Sequence, residues 1–437
     1  MKKLLLLFTF MITFADFTVA QNRQESPVTA GENVITFVTD KIEDCRIQMT
    51  ITSDGGFTID GVKENAVEGY SGYTLTGSEV TIRGKITDFS APYSQITSID
   101  VTQMPMLKTL DVFGNPINTL DLSKNEVINY LVIGATELNS LDLSQCPSLE
   151  NLNINSCHIE SLDLSNSKNL VMILAKQAGL KSLNLNGASR LDILDCSYNH
   201  LGAIDLSPIP TLTQLSCAGN DLNELDLSKV KLLVLNCNVN NLKSIDLSMQ
   251  DNLEEFGGIN NQFTALDFSA CESLFGAMIC GNNIADKEMT DLCMSMPEVD
   301  GAPGYFTVVD MSTETEKNEC SVSNVKLMEA KNWETFDYQG GFSGYDYGVI
   351  YEGIPDEMLG IEDAATADFT VHAAVNDSRV FVAGVNAGDA IRIIDLQGRV
   401  MMTKYADGDV TVFDTSAMQR GVYFVSVNKQ SVKFVVR

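Results

Sequence analysis

Apolar residues recur along most of this chain with a fixed spacing. The motif Leu-Asp-Leu-Ser begins at Leu120, Leu141 and Leu162 and continues at Ile204, Leu225, Ile245 and Leu266, with variants at Ile99 and Leu183. Its second position reads Asp100, Asp121, Asp142, Asp163, Asn184, Asp205, Asp226, Asp246 and Asp267, every step being 21 residues except one of 20. Between these motifs lies a second, L-x-x-L-x-(L/I/C)-x-x-N-x-L. It is clear at Leu191, Leu194, Cys196, Asn199 and Leu201, and again at Leu212, Leu215, Cys217, Asn220 and Leu222. A third copy, Leu232 to Leu242, contains Cys237 and Asn240, and weaker copies start at Ile86, Leu107, Ile128, Leu149, Leu170, Leu253 and Leu274.

The L-x-L triplets alternate with period 2, so each repeat predicts short strands with one face inward. Twenty-one residues hold two extended segments and two turns, with no room for a full helix. Such a unit buries its leucines only by stacking on its neighbours, which predicts a solenoid with a continuous core. The Asn at the ninth position turns inward, where its amide can satisfy backbone groups of its own and the adjacent bend. Thr136, Cys157 and Ala178 replace it in three consecutive repeats, and local distortion is expected there.

These motifs, from Ile86 to Ile284, resemble the leucine-rich repeat family in the short form of internalin-like bacterial surface proteins. The expected fold is a β-rich solenoid of about nine 21-residue repeats with a β-rich N-terminal cap, a mixed C-terminal cap and a small C-terminal β-sandwich. Residues 21–85 alternate around Gly-rich turns and read as the first cap. Residues 285–340, with a helix over Asp286–Met296 and a closing segment Ser321–Trp333, read as the second. Residues 341–364, acidic and turn-rich, read as a linker.

Short alternating strands return in 365–437, predicting the β-sandwich. Ile394-Asp-Leu-Gln-Gly398-Arg399-Val, Gly421-Val-Tyr423 and the terminal strand with Lys433 resemble the C-terminal sorting domain of type IX secretion substrates of the Bacteroidota. The resemblance implies passage across an outer membrane through that machinery, removal of the domain, and a mature protein that is secreted or held on the surface of a Gram-negative cell.

The other terminus points to export too. Lys2-Lys3, an apolar run Leu4–Phe14, and Thr18-Val19-Ala20 before Gln21 have the layout of a signal peptide spanning 1–20. No later apolar stretch reaches transmembrane length. The formal net charge is −29, from 29 Lys+Arg against 58 Asp+Glu. That excludes a nucleic-acid binder working by phosphate neutralisation.

Ten cysteines in an exported chain would suggest disulfides. However, Cys196, Cys217 and Cys237 share one core position and read as a ladder of buried thiols, whose stacking distance exceeds what a disulfide prefers. Cys293 and Cys320, beyond the repeats, could staple the cap. Asp121, Asp142, Asp163, Asp205, Asp226, Asp246 and Asp267 form a ladder read as structural, each carboxylate accepting from nearby backbone or the following Ser. One acid per coil is a poor calcium site. The three histidines are scattered and no nucleophile elbow or phosphate loop is present. No catalytic residue, metal site or cofactor is therefore predicted, and the chain is not expected to be an enzyme.

The outward strand positions remain as the binding candidate. They vary freely within a regular framework. Phe113, Tyr130, Val132, Met172 and Leu174 are expected to surround an asparagine patch of Asn151, Asn153 and Asn155. Exposed apolar groups rimmed by polar ones suit a protein contact, and the amides could equally address sugar hydroxyls. The expected role is adhesion to a host or bacterial surface protein, with glycan capture for a nutrient-uptake system as the alternative.

Overall fold

The computed structural model describes residues 33–67, 69, 71–339, 348–355, 369–373, 379–395, 399–408, 410–418, 421–428 and 430–436. The signal peptide, Gly398 and most of the segment read as linker lie outside these residues. The chain divides into two compact units, one ending at Lys231 and one beginning at Leu232.

The first unit starts with an antiparallel cap. Val34–Thr39 lies between Glu79–Ser90 and Ile96–Asp100, and Thr50–Asp60 pairs with Glu79–Ser90. Ile35, Phe37, Tyr73, Leu75, Val80 and Ile82 are buried in its core. The boundary placed at 85 runs through one continuous strand, because the last residues of Glu79–Ser90 also serve the first coil: Asp88, Phe89 and Ser90 pair in parallel with Thr109, Leu110 and Asp111. The cap thereby closes the edge that the array would otherwise leave open.

Parallel strands follow, one per coil: Thr109–Asp111, Tyr130–Val132, Asn151–Asn153, Met172–Leu174, Ile193–Asp195 and Gln214–Ser216. They pair residue for residue at the 21-residue step, Leu131 with Leu152 and Ile173 with Leu194. The middle residue of each triplet points inward, and Leu110, Leu131, Leu152, Ile173, Leu194 and Leu215 are all buried. This is a leucine-rich repeat solenoid. The second extended segment expected in every coil is strand only at Ser161–Asp163 and Ser182–Asn184, which pair with each other. Elsewhere the Leu-Asp-Leu stretch is not strand and leads into a turn that starts at the Ser. In both kinds of coil the Asp side chain takes the backbone N–H of the residue two positions on, as Asp121 Oδ1 does from Ser123 (2.8 Å), Asp142 Oδ1 from Ser144 (2.8 Å) and Asp163 Oδ1 from Ser165 (3.0 Å).

The asparagine ladder closes each bend. Asn199 donates from Nδ2 to the carbonyls of Ala175 and Cys196, both at 2.8 Å, and accepts from the Leu180 N–H at 2.9 Å. The distortion expected at Thr136, Cys157 and Ala178 is absent, since the parallel register runs unbroken through those coils. Other groups take over the amide's bonds there. Thr136 Oγ1 donates to Ile133 O (2.8 Å), Cys157 Sγ donates to the same carbonyl (3.2 Å), and the Ala178 carbonyl itself accepts from Ile159 N (2.8 Å).

In the second unit the strands Val234–Asn236, Glu255–Gly257 and Gly276–Met278 continue the pattern. Two further parallel strands, Gly304–Val309 and Trp333–Asp337, then add to the sheet, with α1 (Asp286–Ser295) and α2 (Val322–Glu329) in the intervening chain. Gly276 pairs with Tyr305 and Tyr305 with Glu334, so the C-terminal cap is two helix-bearing coils with a 29-residue step. Asn318 carries the ladder into it, donating to Ile279 O and Val308 O at 2.8 Å. Part of the segment read as linker belongs to this cap. Val349–Ile350 pairs antiparallel with the Trp333–Asp337 strand, and the Tyr351 hydroxyl donates to Cys320 O at 3.1 Å.

The last residues form two antiparallel sheets. Thr370–Ala373, Arg379–Ala383 and Val410–Asp414 make one, and Ala390–Asp395, Val400–Tyr405, Gly421–Val427 and Gln430–Val436 the other. Val380, Val382, Ile391, Ile393, Phe413, Val425 and Phe434 fill their common core. Arg399 clamps its hairpin, its N–H and Nε reaching the Asp395 carboxylate at 2.8 and 2.6 Å. Tyr423 stacks on Phe434 at 5.8 Å, Gly421 lies opposite Val436, and Lys433 lies opposite Phe424.

Candidate binding face

The eight residues singled out in the sequence sit together on the outer face of the parallel sheet in the first unit. Tyr130, Asn151 and Met172 are paired in one row across three coils, and Val132, Asn153 and Leu174 form the next. Phe113 and Asn155 lie two residues beyond the last residues of their strands, Asp111 and Asn153, on the same face. The two rows differ in exposure. Tyr130, Asn151 and Met172 are half-buried, whereas Val132, Asn153 and Leu174 are 4, 9 and 6% exposed. The second row is therefore floor, and the contact groups expected of Val132 and Leu174 are largely covered.

The asparagine patch is ordered by the backbone. Asn153 Oδ1 accepts from Asn155 N at 3.0 Å, and Asn155 Oδ1 accepts from Lys176 N at 2.7 Å. With the carbonyl ends held, the amide NH2 groups of both are oriented, and among the described residues neither meets a protein acceptor. The same two-residue bond recurs at this position in other coils, from Phe113 N to Asp111 Oδ1 (3.1 Å) and from Ser197 N to Asp195 Oδ1 (3.0 Å). An Asx side chain is thus the framework residue here, whichever acceptor it carries.

Several groups on this face escaped the sequence reading. Phe113 meets Tyr93 edge-on at 5.5 Å, and a Cβ at Gly134 would lie 2.8 Å from the Phe113 ring. Glycine at 134 is what lets the ring lie flat across the next coil. Tyr198, exposed, covers Gly219 in the same way and carries Lys176 Nζ 5.3 Å over its ring. The sequence trace of both is an aromatic followed 21 residues later by glycine. Asp111 accepts from Ser90 Oγ at 2.8 Å, and burial holds its carboxyl above the usual range despite that bond. Burial likewise raises the Tyr130 phenol, with Asp111 adding to it.

Asp195 permits a direct test of this face's electrostatics. Desolvation raises its carboxyl above the ordinary value, against the bonds from Ser197 and the charge of Lys176. Asp195→Asn keeps the bond to Ser197 N, as Asn153 does in its own coil, and removes the buried charge. The variant should be more stable at pH 7, because burial disfavours the charged carboxylate that the amide replaces. A raised folded-state value means that the native protein loses stability as pH rises from the unfolded value through the folded one. The variant's advantage should therefore shrink as pH falls through the folded value and vanish below the unfolded one. Paired urea titrations at pH 4 and pH 7 check this, and an advantage independent of pH would reject it.

The ladders carry no reactive chemistry. Burial raises the thiols of Cys196 and Cys237, the latter to about 12, so they stay protonated and unreactive. Cys217, Cys293 and Cys320 are buried, and none of the three is in a disulfide. Asp163, Asp205, Asp226, Asp246 and Asp267 each accept from the backbone of the serine two residues on, at 2.8–3.0 Å. Among the described residues no three His, Cys, Asp or Glu side chains are placed to hold a metal ion, and no helix is long and apolar enough to cross a membrane.

Residues 370–437 match the family described as the secretion system C-terminal sorting domain. No curated protein matches the chain in sequence. Similar solved structures include a leucine-rich repeat protein of Leptospira interrogans, with 18% identity, TM-score 0.41, and coverage of 49% of this chain and 58% of that one. The functional domain of InlJ from Listeria monocytogenes, described as including a cysteine ladder, is 16% identical over 83% of this chain and 93% of that one, with TM-score 0.44. An internalin, InlF, from Listeria monocytogenes is 19% identical over 58% of this chain and 81% of that one, with TM-score 0.43.

Proposed function

We propose that this leucine-rich repeat protein, secreted or displayed through its C-terminal sorting domain, is an adhesin that recognises a protein on a host or bacterial surface. It uses the outer sheet face around Tyr130, Asn151, Met172 and Phe113. The observation that carries the reading is the pairing of Tyr130, Asn151 and Met172 in one half-buried row above a closed floor. A rigid row of aromatic, amide and thioether groups suits the anchors of a protein interface.

Tyr130→Ala should weaken binding to the partner at least ~10-fold, as truncation of an interface hot spot does, with an unchanged unfolding transition. Asn151→Ala should weaken it less. Capture of surface proteins by the exported protein and the two variants, scored by titration, tests this. Equal capture by all three would discard the face. The oriented amide NH2 groups of Asn153 and Asn155 also support a second reading, recognition of a glycan. Binding to an oligosaccharide array without any protein partner would favour it. Removal of residues 365–437 should abolish surface display, and display of that truncation would sink the sorting role.

A further inference from the structure

The Arg379–Ala383 strand carries a residue that its own domain does not use. Val380 and Val382 belong to the sandwich core. With period-2 alternation Phe381 must face the other way, yet it is 0% exposed. What meets it is the C-terminal cap of the repeats. Lys331 Nζ lies 5.1 Å from the Phe381 ring centroid, and the Arg379 guanidinium lies 6.0 Å from the same ring. Arg379 also forms an ion pair with Glu298 of the cap.

Lys331 is itself built into the cap. It is 1% exposed and donates to the carbonyls of Cys293, Met294 and Met296, at 3.0, 2.6 and 2.6 Å, at the end of α1. A buried ammonium under a phenyl ring is a specific seat, since the ring face attracts the cation and excludes water from it. Phe381 on one side and Lys331 with Glu298 on the other are complementary in shape and in charge.

We propose that the sorting domain is docked on the C-terminal cap, with Phe381 as the plug and the Arg379–Glu298 pair fixing its orientation, so that it is not a freely tethered tail. One ring and one partly exposed ion pair make a small contact, too small to hold two separate molecules together. The intervening chain supplies a high effective concentration and keeps the contact closed. Cutting that chain therefore releases the domain and exposes the Lys331 seat on the repeats.

The test uses the full chain. In hydrogen exchange, Phe381→Asp should accelerate exchange in 322–331 and 379–383 by roughly 10-fold while the other sandwich strands keep their protection. Glu298→Arg, which lies outside the sandwich core, should have the same effect, and the double variant Glu298→Arg with Arg379→Glu should restore protection. Small-angle scattering should show a larger radius for either single variant. A protease site placed between Pro355 and Phe369, once cut, should yield two separate peaks in gel filtration. Exchange and scattering identical in wild type, Phe381→Asp and Glu298→Arg would overturn the docking. Co-elution after the cut would overturn its dependence on the tether.

Discussion

Asn199→Ala should cost the protein about 3–5 kcal/mol, more than the loss of a typical core methylene. The change strands the Leu180 N–H and the Ala175 carbonyl, while Cys196 O keeps its bond from Asn220 Nδ2 at 2.9 Å, in a bend where Asn199 is 2% exposed and water does not replace it. Each buried group left without a partner costs about 1–3 kcal/mol. Thr136→Ala, at the equivalent place in another coil, removes the bonds of one hydroxyl, chiefly that to Ile133 O, and should cost about 1 kcal/mol. Urea denaturation followed by far-UV circular dichroism checks the order of the two. Equal losses would mean that the ladder's bonds are made good by backbone movement everywhere, as the Ala178 carbonyl does for Ile159 N.

Lys331→Met should be nearly as damaging, at about 3 kcal/mol. Methionine fills the same volume and removes the desolvation of a buried ammonium, which by itself would help. It also leaves the carbonyls of Cys293, Met294 and Met296 without their donor. α1 has no basic residue in its last turn, so Lys331 provides the cation that its C-terminus requires. Breaking such a set from one side is costly even where replacing the whole set would not be. Arginine is no remedy, because a planar fork does not fit three converging carbonyls. Thermal unfolding of the full chain, with hydrogen exchange across Asp286–Ser295, is the measurement. A melting temperature within 1 °C of wild type would show that the carbonyls find other donors.

Legibility in the sequence followed periodicity. The 21-residue step located the strand triplets, because inward leucines must return to the same place in every coil. The outward rows followed by alternation, which is why all eight candidate residues of the face lie on it. Depth within the face was not legible. Val132 and Leu174 alternate outward like Tyr130 and Met172, but coil packing turns one row into floor. Tyr93 and Tyr198 were missed because they sit in bends at positive φ, where alternation says nothing. The C-terminal cap was missed as a continuation of the sheet because its step lengthens to 29 residues, and a fixed-period reading ends where the period changes.

The sequence by itself determined a stacked array of 21-residue coils, its inward leucines and asparagines, the Asp turns and a separate C-terminal β-domain with export features. Each of these rests on local spacing, which every coil repeats and stacking can only reinforce. Tertiary structure alone decided what depends on residues distant in sequence. It made Glu79–Ser90 both cap and first coil, and it let threonine, cysteine and a backbone carbonyl stand in for asparagine. It also brought Lys331 under α1 and Phe381 over Lys331. Those outcomes follow from which buried polar groups find partners and which apolar faces find cover, and both are settled only when the coils and domains meet.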